Sequence, residues 1–351
     1  MQKIFVNCRF ATQELTGVQR YAIECALALK KLKPAESVFL SPKGKINNEL
    51  KLKLNIKQIG FTKGHFWEQI ELPIYCWFHN SLLFCFCGGP PIFYKNTVFT
   101  VHDLAFLRHP EFYRYGYKYF YRFLFSIAIK KSKQIVAVSE FTKSEIKDIF
   151  NVENIKIVNN SAGHLERNTD KLNLPSLLKN KNFLLAVGSN DPRKNLQQLI
   201  EVYLEEEPSF KLVIVGKKRK NFSNKSKILK FNSTNIIYMG ELTDIELAAC
   251  YAHAECLIYP SIYEGFGIPP LEAFYFNTPV AVSDISILRE VCGEYAAYFD
   301  PKHIKNITKI VETAKKIKKQ KNISKQHPVF KRYSSQNQEF QIDGILKDLS
   351  L

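Results

Sequence analysis

The sequence predicts an α/β protein built from two doubly wound domains. Continuous apolar runs such as FLLAVG (183–188) and FKLVIVG (210–216) have the length and composition of fully buried parallel strands. Helix-like segments separate these runs, as expected when helices cover both faces of a parallel sheet. A length of 351 residues suits about two domains. A polar stretch near 165–180 separates two such alternating blocks.

The first block predicts a sheet over residues 1–168. Its strand-like segments are KIFVN (3–7), SVFLSP (37–42), LLFCF (82–86), TVFTVHD (97–103) and QIVAVS (134–139). The segment GVQRYAIECALALKKLK (17–33) carries apolar residues at helical spacing after a glycine turn.

The second block predicts another sheet over residues 169–328. After the two runs named first, its strand-like segments are NIIYMG (235–240), ECLIYPS (255–261) and PVAVSD (279–284). TDIELAACYAHA (243–254) is an intervening helix. Residues 329–351 end in one further predicted helix, YSSQNQEFQIDGILKDL.

Composition and the absence of certain motifs restrict the classes of function that fit the sequence. The formal net charge of +17 fits nucleic acid, an anionic membrane or nucleotide-linked substrates, and lysine-rich composition alone also explains it. The eight cysteines form no CxxC pair, so we expect reduced, buried thiols. No D-x-D, HExxH, G-x-G-x-x-G or Walker A pattern occurs, which predicts no metal and no cofactor and disfavours dehydrogenases and ATPases. No signal peptide or spanning helix is expected.

The stretch SIYEGFGIPPLEAF (261–274) follows a predicted strand and combines features of an anion site. Pro269 and Pro270 suit the first turn of a helix, which would leave backbone N–H groups around Phe266, Gly267 and Ile268. Glu264 would precede that helix, and Glu272 would lie in its first turn. Carboxylates accept hydrogen bonds from sugar hydroxyls, so the pair could bind the two sugar rings of a nucleotide-sugar. A helix with an ordinary first-turn glutamate is the alternative.

Three other segments follow predicted strands, where open parallel sheets bind ligands. NDPRKN places Arg193 and Lys194 beside a helix start, which suits a diphosphate or is a solvated basic turn. TGVQRY offers Gly17 for close approach to a ligand or is an ordinary glycine turn. VHDLAF places His102 after a strand, in a substrate-binding or a structural role.

The segment RYGYKYFYRFLFSIAIKKSK (114–133) interleaves aromatic and basic residues. Such a helix can lie on an anionic bilayer, stack with nucleic acid or be partly buried in the first domain.

Together these motifs resemble the retaining glycosyltransferases of family 4, above all the mannosyltransferase-like members that build bacterial surface polysaccharides. The resemblance rests on TGVQRY, VHDLAFLRHPEF, VSEFTKSEI, VGSNDPRKNLQQLI, the segment from YMGELTD to PVAVS, and AAYFDP, in that order. The glutamate-x7-glutamate spacing of Glu264 and Glu272 is the family's signature.

The resemblance implies a GT-B fold, with two Rossmann-like domains facing a central cleft and the helix of 329–351 packing back on the first. It implies that Arg193 and Lys194 hold the donor diphosphate and that Glu264, Phe266 and Gly267 contact the transferred sugar. Glu272 would bind the ribose. The other implied contacts are Gly17 with the diphosphate, His102 with the sugar ring and Gly240 with the base.

Two departures stand out. Many family members have Glu where this chain has Asp191, and Pro where it has Arg289. The first bears on the loop that carries Arg193, and the second adds a cation near the donor pocket.

The expected activity is metal-independent transfer of a hexose, mannose favoured, from a nucleotide-sugar such as GDP-mannose to a lipid-linked glycan in O-antigen or capsule synthesis. The expected location is cytoplasmic, on the inner face of the cytoplasmic membrane at its anionic surface, with nucleic acid disfavoured. The alternative is a non-catalytic protein that binds nucleotide-sugars or polyanions.

Overall fold

The computed structural model describes residues 2–163, 172–217, 234–321 and 328–351. Its residues group into two compact units. The first unit comprises Met1–Leu104, Tyr119–Ser161 and Tyr333–Leu351, and the second comprises Ala105–Lys118 and Ala162–Arg332. The domain limits stated above (1–168, 169–328 and 329–351) remain predictions.

The first unit contains a seven-stranded sheet whose pairings are all parallel. The strands are β1 (Ile4–Asn7), β2 (Ser37–Ser41), β3 (Lys57–Gln58), β4 (Leu82–Cys85), β5 (Thr97–Val101), β6 (Gln134–Ala137) and β7 (Ile155–Ile157). They lie in the order β3-β2-β1-β4-β5-β6-β7. Because β1 and β4 are neighbours, the winding of the chain reverses between them.

The second unit contains a six-stranded sheet, also with parallel pairings throughout. The strands are β8 (Phe183–Val187), β9 (Lys211–Val215), β10 (Ile236–Gly240), β11 (Cys256–Tyr259), β12 (Val280–Ser283) and β13 (Ala297–Phe299). Their order is β10-β9-β8-β11-β12-β13, with the reversal between β8 and β11. The prediction of two doubly wound parallel sheets is therefore confirmed.

Helices lie in most of the described connections between strands, since parallel strands need a crossover, whereas β4 and β5 are joined by a loop. The helices are α1 (Gly17–Leu32), α2 (Asn48–Leu54), α3 (Gly64–Phe66), α4 (Leu72–Phe78), α5 (Ala105–Arg108), α6 (Tyr115–Lys131), α7 (Glu140–Phe150), α8 (Leu196–Glu206), α9 (Asp244–His253), α10 (Ile268–Tyr275), α11 (Ser286–Cys292), α12 (Ile307–Lys321), α13 (Pro328–Arg332) and α14 (Ser335–Asp348). A π-helical turn, Trp67–Glu71, joins α3 to α4. Within the described residues, short 3₁₀ turns occur at Arg9–Thr12, Pro110–Phe112, Ser176–Leu178, Pro192–Lys194 and Gly293–Tyr295.

Helix α14 belongs to the first unit and packs against α1. Its Gln338 and Gln341 side chains hydrogen-bond to Asn159, which follows β7. The Gln341 Oε1 accepts from the Asn159 backbone N–H at 2.8 Å, and the Gln338 Nε2 donates to the Asn159 carbonyl at 2.8 Å. Residues separated by about half the chain therefore complete one unit.

All eight cysteines are buried and none forms a disulfide. Burial raises the pKa of Cys76, Cys87 and Cys250 to about 12, which keeps these thiols protonated at neutral pH. Over the ranges described here, no helix combines the length and apolar character needed to cross a membrane.

Candidate active site at the strand reversal of the second unit

The candidate site lies where the second sheet reverses its winding. Strands β8 and β11 are neighbours there, with Leu185 in register with Leu257. The chain leaves β8 toward β9 on one side, and leaves β11 toward β12 on the other. Loops beyond the carboxyl ends of such strands diverge and leave room for a ligand. Arg193 and Lys194 follow β8, and Glu264 follows β11, so the fold brings these predicted residues to one place.

The loop after β8 is fixed by Asp191. The Asp191 Oδ1 accepts from the backbone N–H of Arg193 at 3.0 Å and so caps the turn Pro192–Lys194. The Asp191 Oδ2 accepts from Arg193 Nε at 2.9 Å and from its terminal NH2 at 2.6 Å. Asp191, where many family members have the longer Glu, therefore still binds the Arg193 guanidinium. The Arg193 carbonyl also accepts from the backbone N–H of Ile262 at 2.8 Å, which ties the two loops together.

Lys194, Tyr259 and Glu264 form a closed network. The Lys194 Nζ lies 2.5 Å from Glu264 Oε1 and donates to the Tyr259 hydroxyl at 2.8 Å. The same hydroxyl donates to Glu264 Oε1 at 2.6 Å. The Lys194 and Glu264 side chains are only 21% and 12% exposed, so water screens their charges weakly.

Electrostatics fix the protonation of this network. Burial acts to raise the pKa of the Glu264 carboxyl, but Lys194, Arg193 and the hydrogen bond from Tyr259 together lower it below its usual value. Burial and the neighbouring Glu264 raise the pKa of the Tyr259 phenol well above its usual value. The site at neutral pH therefore holds a carboxylate beside a protonated phenol.

Helix α10 begins beside Glu264, but one residue earlier than the sequence suggested. Gly267 is its N-cap in the left-handed region, with a φ of 89°, and Pro269 and Pro270 lie in the first turn. Glu272 is the fifth residue, so its expected place in the first turn was wrong. Its carboxylate is buried and accepts from the Tyr251 hydroxyl at 2.6 Å.

The remaining predicted residues are placed as follows. Phe266 and Gly267 are buried and Ile268 is half-buried. Gly240 ends β10 with a φ of 68°, two strands from β8. The Arg289 guanidinium is bound by Asp284, with its terminal NH2 at 2.7 Å from Oδ2, and lies 4.4 Å from the Tyr298 ring centroid. The extra cation is therefore paired on the surface.

Gly17 and His102 belong to the first unit. Gly17 is the exposed first residue of α1. His102 follows β5, and its Nε2 lies 2.8 Å from the Phe86 carbonyl, which can only accept, so Nε2 carries the proton. Burial lowers the pKa of His102, although the Phe86 carbonyl and Asp103 oppose the shift. The ring is therefore neutral at pH 7, with Nδ1 as an acceptor.

Several residues of the site were missed from sequence. Tyr259 is the last residue of an apolar strand. A hydroxyl at the carboxyl end of that strand is the sequence feature that could have identified it. Tyr113 and His109 come from the Ala105–Lys118 segment of the second unit. The Arg193 guanidinium lies 5.8 Å from the Tyr113 ring centroid, and the rings of His109 and Tyr263 are 5.3 Å apart. This segment therefore contacts both the loop after β8 and the loop after β11.

Two family models match the chain. One, described as glycosyl transferases group 1, covers residues 169–330, and the other, glycosyltransferase family 4, covers residues 72–161. The O-antigen chain mannosyltransferase RfbU of Salmonella typhimurium is 28% identical over 320 residues, which are 85% of this chain and 87% of that protein. The O-antigen chain mannosyltransferase B of Escherichia coli is 29% identical over 229 residues, 61% of this chain and 60% of that protein.

Solved structures share the fold. The Anabaena protein Alr3699/HepE in complex with UDP-glucose superposes with a TM-score of 0.73 at 14% identity, over 99% of this chain and 100% of that chain. Sucrose-phosphate synthase from Thermosynechococcus elongatus gives 0.74 at 14% identity over 99% of both chains. The two sheets are thus those of a GT-B glycosyltransferase. The chain belongs to the group 1 glycosyltransferases, as the motifs predicted.

Proposed function

We propose that this glycosyltransferase moves a hexose, with mannose favoured, from a nucleotide-sugar to a glycan acceptor in O-antigen or capsule synthesis. The observation that carries the proposal is the network of Lys194, Tyr259 and Glu264 beside Arg193 at the strand reversal. The similarity to proteins named mannosyltransferases supports mannose, and GDP-mannose is the donor that the family resemblance favours.

The two cations serve the leaving group in this proposal. Breaking the bond between the anomeric carbon and the diphosphate leaves negative charge on the phosphate. Arg193, Lys194 and the amino end of α10 supply positive charge to that place. Asp191 holds Arg193 before the donor arrives, so little reorganisation is needed at the moment of reaction.

Glu264 serves the sugar. Positive charge develops on the sugar ring as the bond breaks, and an ionised carboxylate stabilises it or orients the sugar hydroxyls. The lowered pKa of Glu264 keeps it ionised for this purpose. We propose retention of anomeric configuration, with an oxygen of the leaving phosphate accepting the acceptor's proton. Glu272 is proposed to bind the ribose, and Phe266, Gly267 and Ile268 to contact the sugar through the backbone.

We further propose that the reaction needs no metal. Arg193 and Lys194 supply the cationic charge that a divalent ion supplies in other transferases. Across the described ranges, no group of three or more His, Cys, Asp or Glu side chains is arranged to hold a metal ion. Adding a chelator to the assay tests this directly.

The acceptor is proposed to be lipid-linked, which would bring the enzyme to an anionic membrane surface. Relatives named for O-antigen synthesis support a glycan acceptor.

The test is donor hydrolysis and donor binding with GDP-mannose, UDP-glucose and dTDP-glucose, with and without EDTA. Wild type is compared with Lys194→Ala and Glu264→Gln. The matched control is the Lys315–Glu255 ion pair of the same unit, changed to Lys315→Ala and Glu255→Gln. We expect metal-independent turnover of GDP-mannose that falls about 10²–10³-fold in each site variant, the usual cost of losing a preorganised charge partner.

Equal losses in the control variants would show that the site residues act through stability alone. Donor binding without turnover in any condition would favour the alternative, a non-catalytic nucleotide-sugar-binding protein. Turnover of another donor would correct the sugar while leaving the reaction class in place.

A further inference from the structure

The first unit exposes a row of large apolar side chains on the helical segment of residues 64–78 and at Phe61, which precedes it. We define this aromatic face by Phe61, Phe66, Ile70, Ile74, Trp77 and Phe78, whose exposures lie between 42% and 88%. A soluble protein rarely leaves so many large apolar side chains together in water, and contiguous patches of this kind mark interaction sites.

The row is contiguous because of helix geometry. Its members on α3, the π-helical turn and α4 are three or four residues apart, so they share one side of the segment. The opposite side carries Trp67, Glu68, Leu72 and Cys76, all fully buried. The segment is therefore already packed on its unit through one side, and the aromatic face is its other side.

Helix α6 extends the face. The His65 ring lies 5.2 Å from the Phe120 ring, which places the part of α6 that belongs to the first unit, from Tyr119 onward, beside α3. Phe120 and Phe123 of α6 are 42% and 61% exposed. The other side of α6 buries Leu124, Phe125, Ala128 and Ile129, so this helix is partly buried and also contributes to an exposed apolar surface.

Positive charge surrounds this surface. The Lys43 Nζ lies 4.9 Å from the Phe61 ring centroid, and the Lys57 Nζ lies 5.6 Å from that of Tyr75. Arg122 lies on α6 between Phe120 and Phe123, and residues 119–139 of the first unit contain no Asp or Glu.

The two carboxylates of the segment, Glu68 and Glu71, both have partners within the first unit. Glu68 is fully buried and pairs with Arg9 Nε at 2.7 Å. Glu71 accepts from the backbone N–H groups of Phe61 and Thr62, at 3.0 Å and 3.2 Å for the shorter bond to each. Both carboxylates are therefore already engaged, whereas Lys43, Lys57 and Arg122 lie beside the aromatic face.

We infer that the aromatic face inserts into the headgroup region of an anionic bilayer, with Trp77 and Phe78 at its leading end. Aromatic side chains with neighbouring lysine and arginine suit that region, because rings enter the interface while cations bind lipid phosphate. This inference deepens the proposed function, since a lipid-linked acceptor is presented at such a surface.

The fluorescence of Trp77 can report insertion of the aromatic face directly. The chain has two tryptophans, and Trp67 is buried while Trp77 is 63% exposed. We expect the fluorescence of the full-length protein to shift to shorter wavelength on vesicles of equal parts phosphatidylglycerol and phosphatidylcholine, and not on phosphatidylcholine alone. Trp77→Phe should abolish the shift but keep binding. Brominated acyl chains should quench wild type and not Trp77→Phe.

The decisive variant is Trp77→Ser with Phe78→Ser, measured by vesicle co-sedimentation. Loss of two inserted aromatic side chains should weaken binding about tenfold or more. The matched control is Phe340→Ser, which removes a phenylalanine of α14 whose exposure, 71%, lies between those of Trp77 and Phe78, and it should leave binding unchanged. Hydrolysis of the soluble donor is measured on every variant, so that failure of membrane binding is distinguished from failure of the proposed transfer.

Unchanged vesicle binding of the double variant would overturn the inference, as would binding to neither vesicle by a protein that hydrolyses donor. Equal weakening by Phe340→Ser would also overturn it. A concentration-dependent dimer in sedimentation that the double variant abolishes would instead make the aromatic face an interface between two copies.

Discussion

Lys194 and Glu264, separated by 70 residues in sequence, meet with their Nζ and Oε1 atoms 2.5 Å apart. The contact joins the loop after β8 to the loop after β11 across the strand reversal. The cation proposed to bind phosphate is thus held by the carboxylate proposed to face the sugar. Binding of a diphosphate would have to redistribute the hydrogen bonds of this pair, and Tyr259 is placed to keep both partners in position.

Tyr259→Phe is expected to lower donor turnover about 10- to 100-fold, because hydrogen bonds to charged groups contribute about 1.5–3 kcal/mol. The affinity for donor should change less than turnover, since Arg193 and Lys194 remain. Initial rates over a range of donor concentrations separate the two effects. Tyr203→Phe, which removes a hydroxyl bonded to the Phe210 carbonyl in the same unit, is the control. A turnover equal to wild type would remove Tyr259 from the mechanism.

Asp191→Ala is expected to weaken donor binding about tenfold, because Arg193 loses its partner and the turn loses its cap, a change of about 1 kcal/mol or more. Asp191→Glu, the residue many family members have, should restore most of the affinity. Calorimetric titration with GDP-mannose gives both values. Asp284→Ala removes the partner of Arg289 and provides a matched Asp–Arg control. Equal effects of Asp191→Ala and Asp284→Ala would contradict a specific role for the turn.

Gly267→Ala is expected to destabilise the protein more than Gly240→Ala. Both residues have positive φ, which costs a non-glycine residue about 1–2 kcal/mol. A Cβ at Gly267 would also lie 2.8 Å from Leu288 Cδ2, whereas one at Gly240 would meet no atom within 4 Å. The added contact should cost about 1–3 kcal/mol. Urea unfolding of the two variants measures the difference, and equal midpoints would refute the packing argument.

His102 is expected to make the first unit acid-sensitive. Its folded-state pKa lies below the usual 6.5, so the unfolded chain binds the proton more readily. The free energy of unfolding should therefore be highest above pH 6.5 and fall as the pH is lowered through the folded-state pKa. His102→Gln should reduce this dependence. The measurement is the urea midpoint of wild type minus that of the variant, followed from about pH 7.5 to about pH 5. This range is wide enough to include the shift expected for a buried imidazole. Parallel curves would show that His102 does not contribute.

Strands that are continuous apolar runs could be predicted from sequence, because burial on both faces of a parallel sheet requires them. All ten such runs became strands. β3, β7 and β13, with two, three and three residues, are too short to carry a periodic signal. They lie at the edges of the sheets and form by pairing with an inner strand. Their formation therefore depends on tertiary contacts rather than on local sequence.

The candidate site was predictable only in part. Arg193, Lys194 and Glu264 could be found because they follow strands that adjoin at the reversal. The contribution of Tyr113 could not be predicted. The segment Ala105–Lys118 belongs to the second unit, although the residues before and after it in sequence belong to the first. Glu272 was assigned to the wrong turn because helix α10 begins at Ile268, before the proline pair rather than at it.

The packing of α14 on α1 has a consequence for synthesis on the ribosome. Residues 2–161 emerge first, yet the partners of Asn159 on α14 lie 179 and 182 residues further along. Until they emerge, the α1 surface that α14 covers stays exposed, and the second unit can complete its own sheet in the meantime. The first unit to be translated is thus the last to be finished, and a chain interrupted before residue 333 would carry an open apolar surface for chaperones and proteases to recognise.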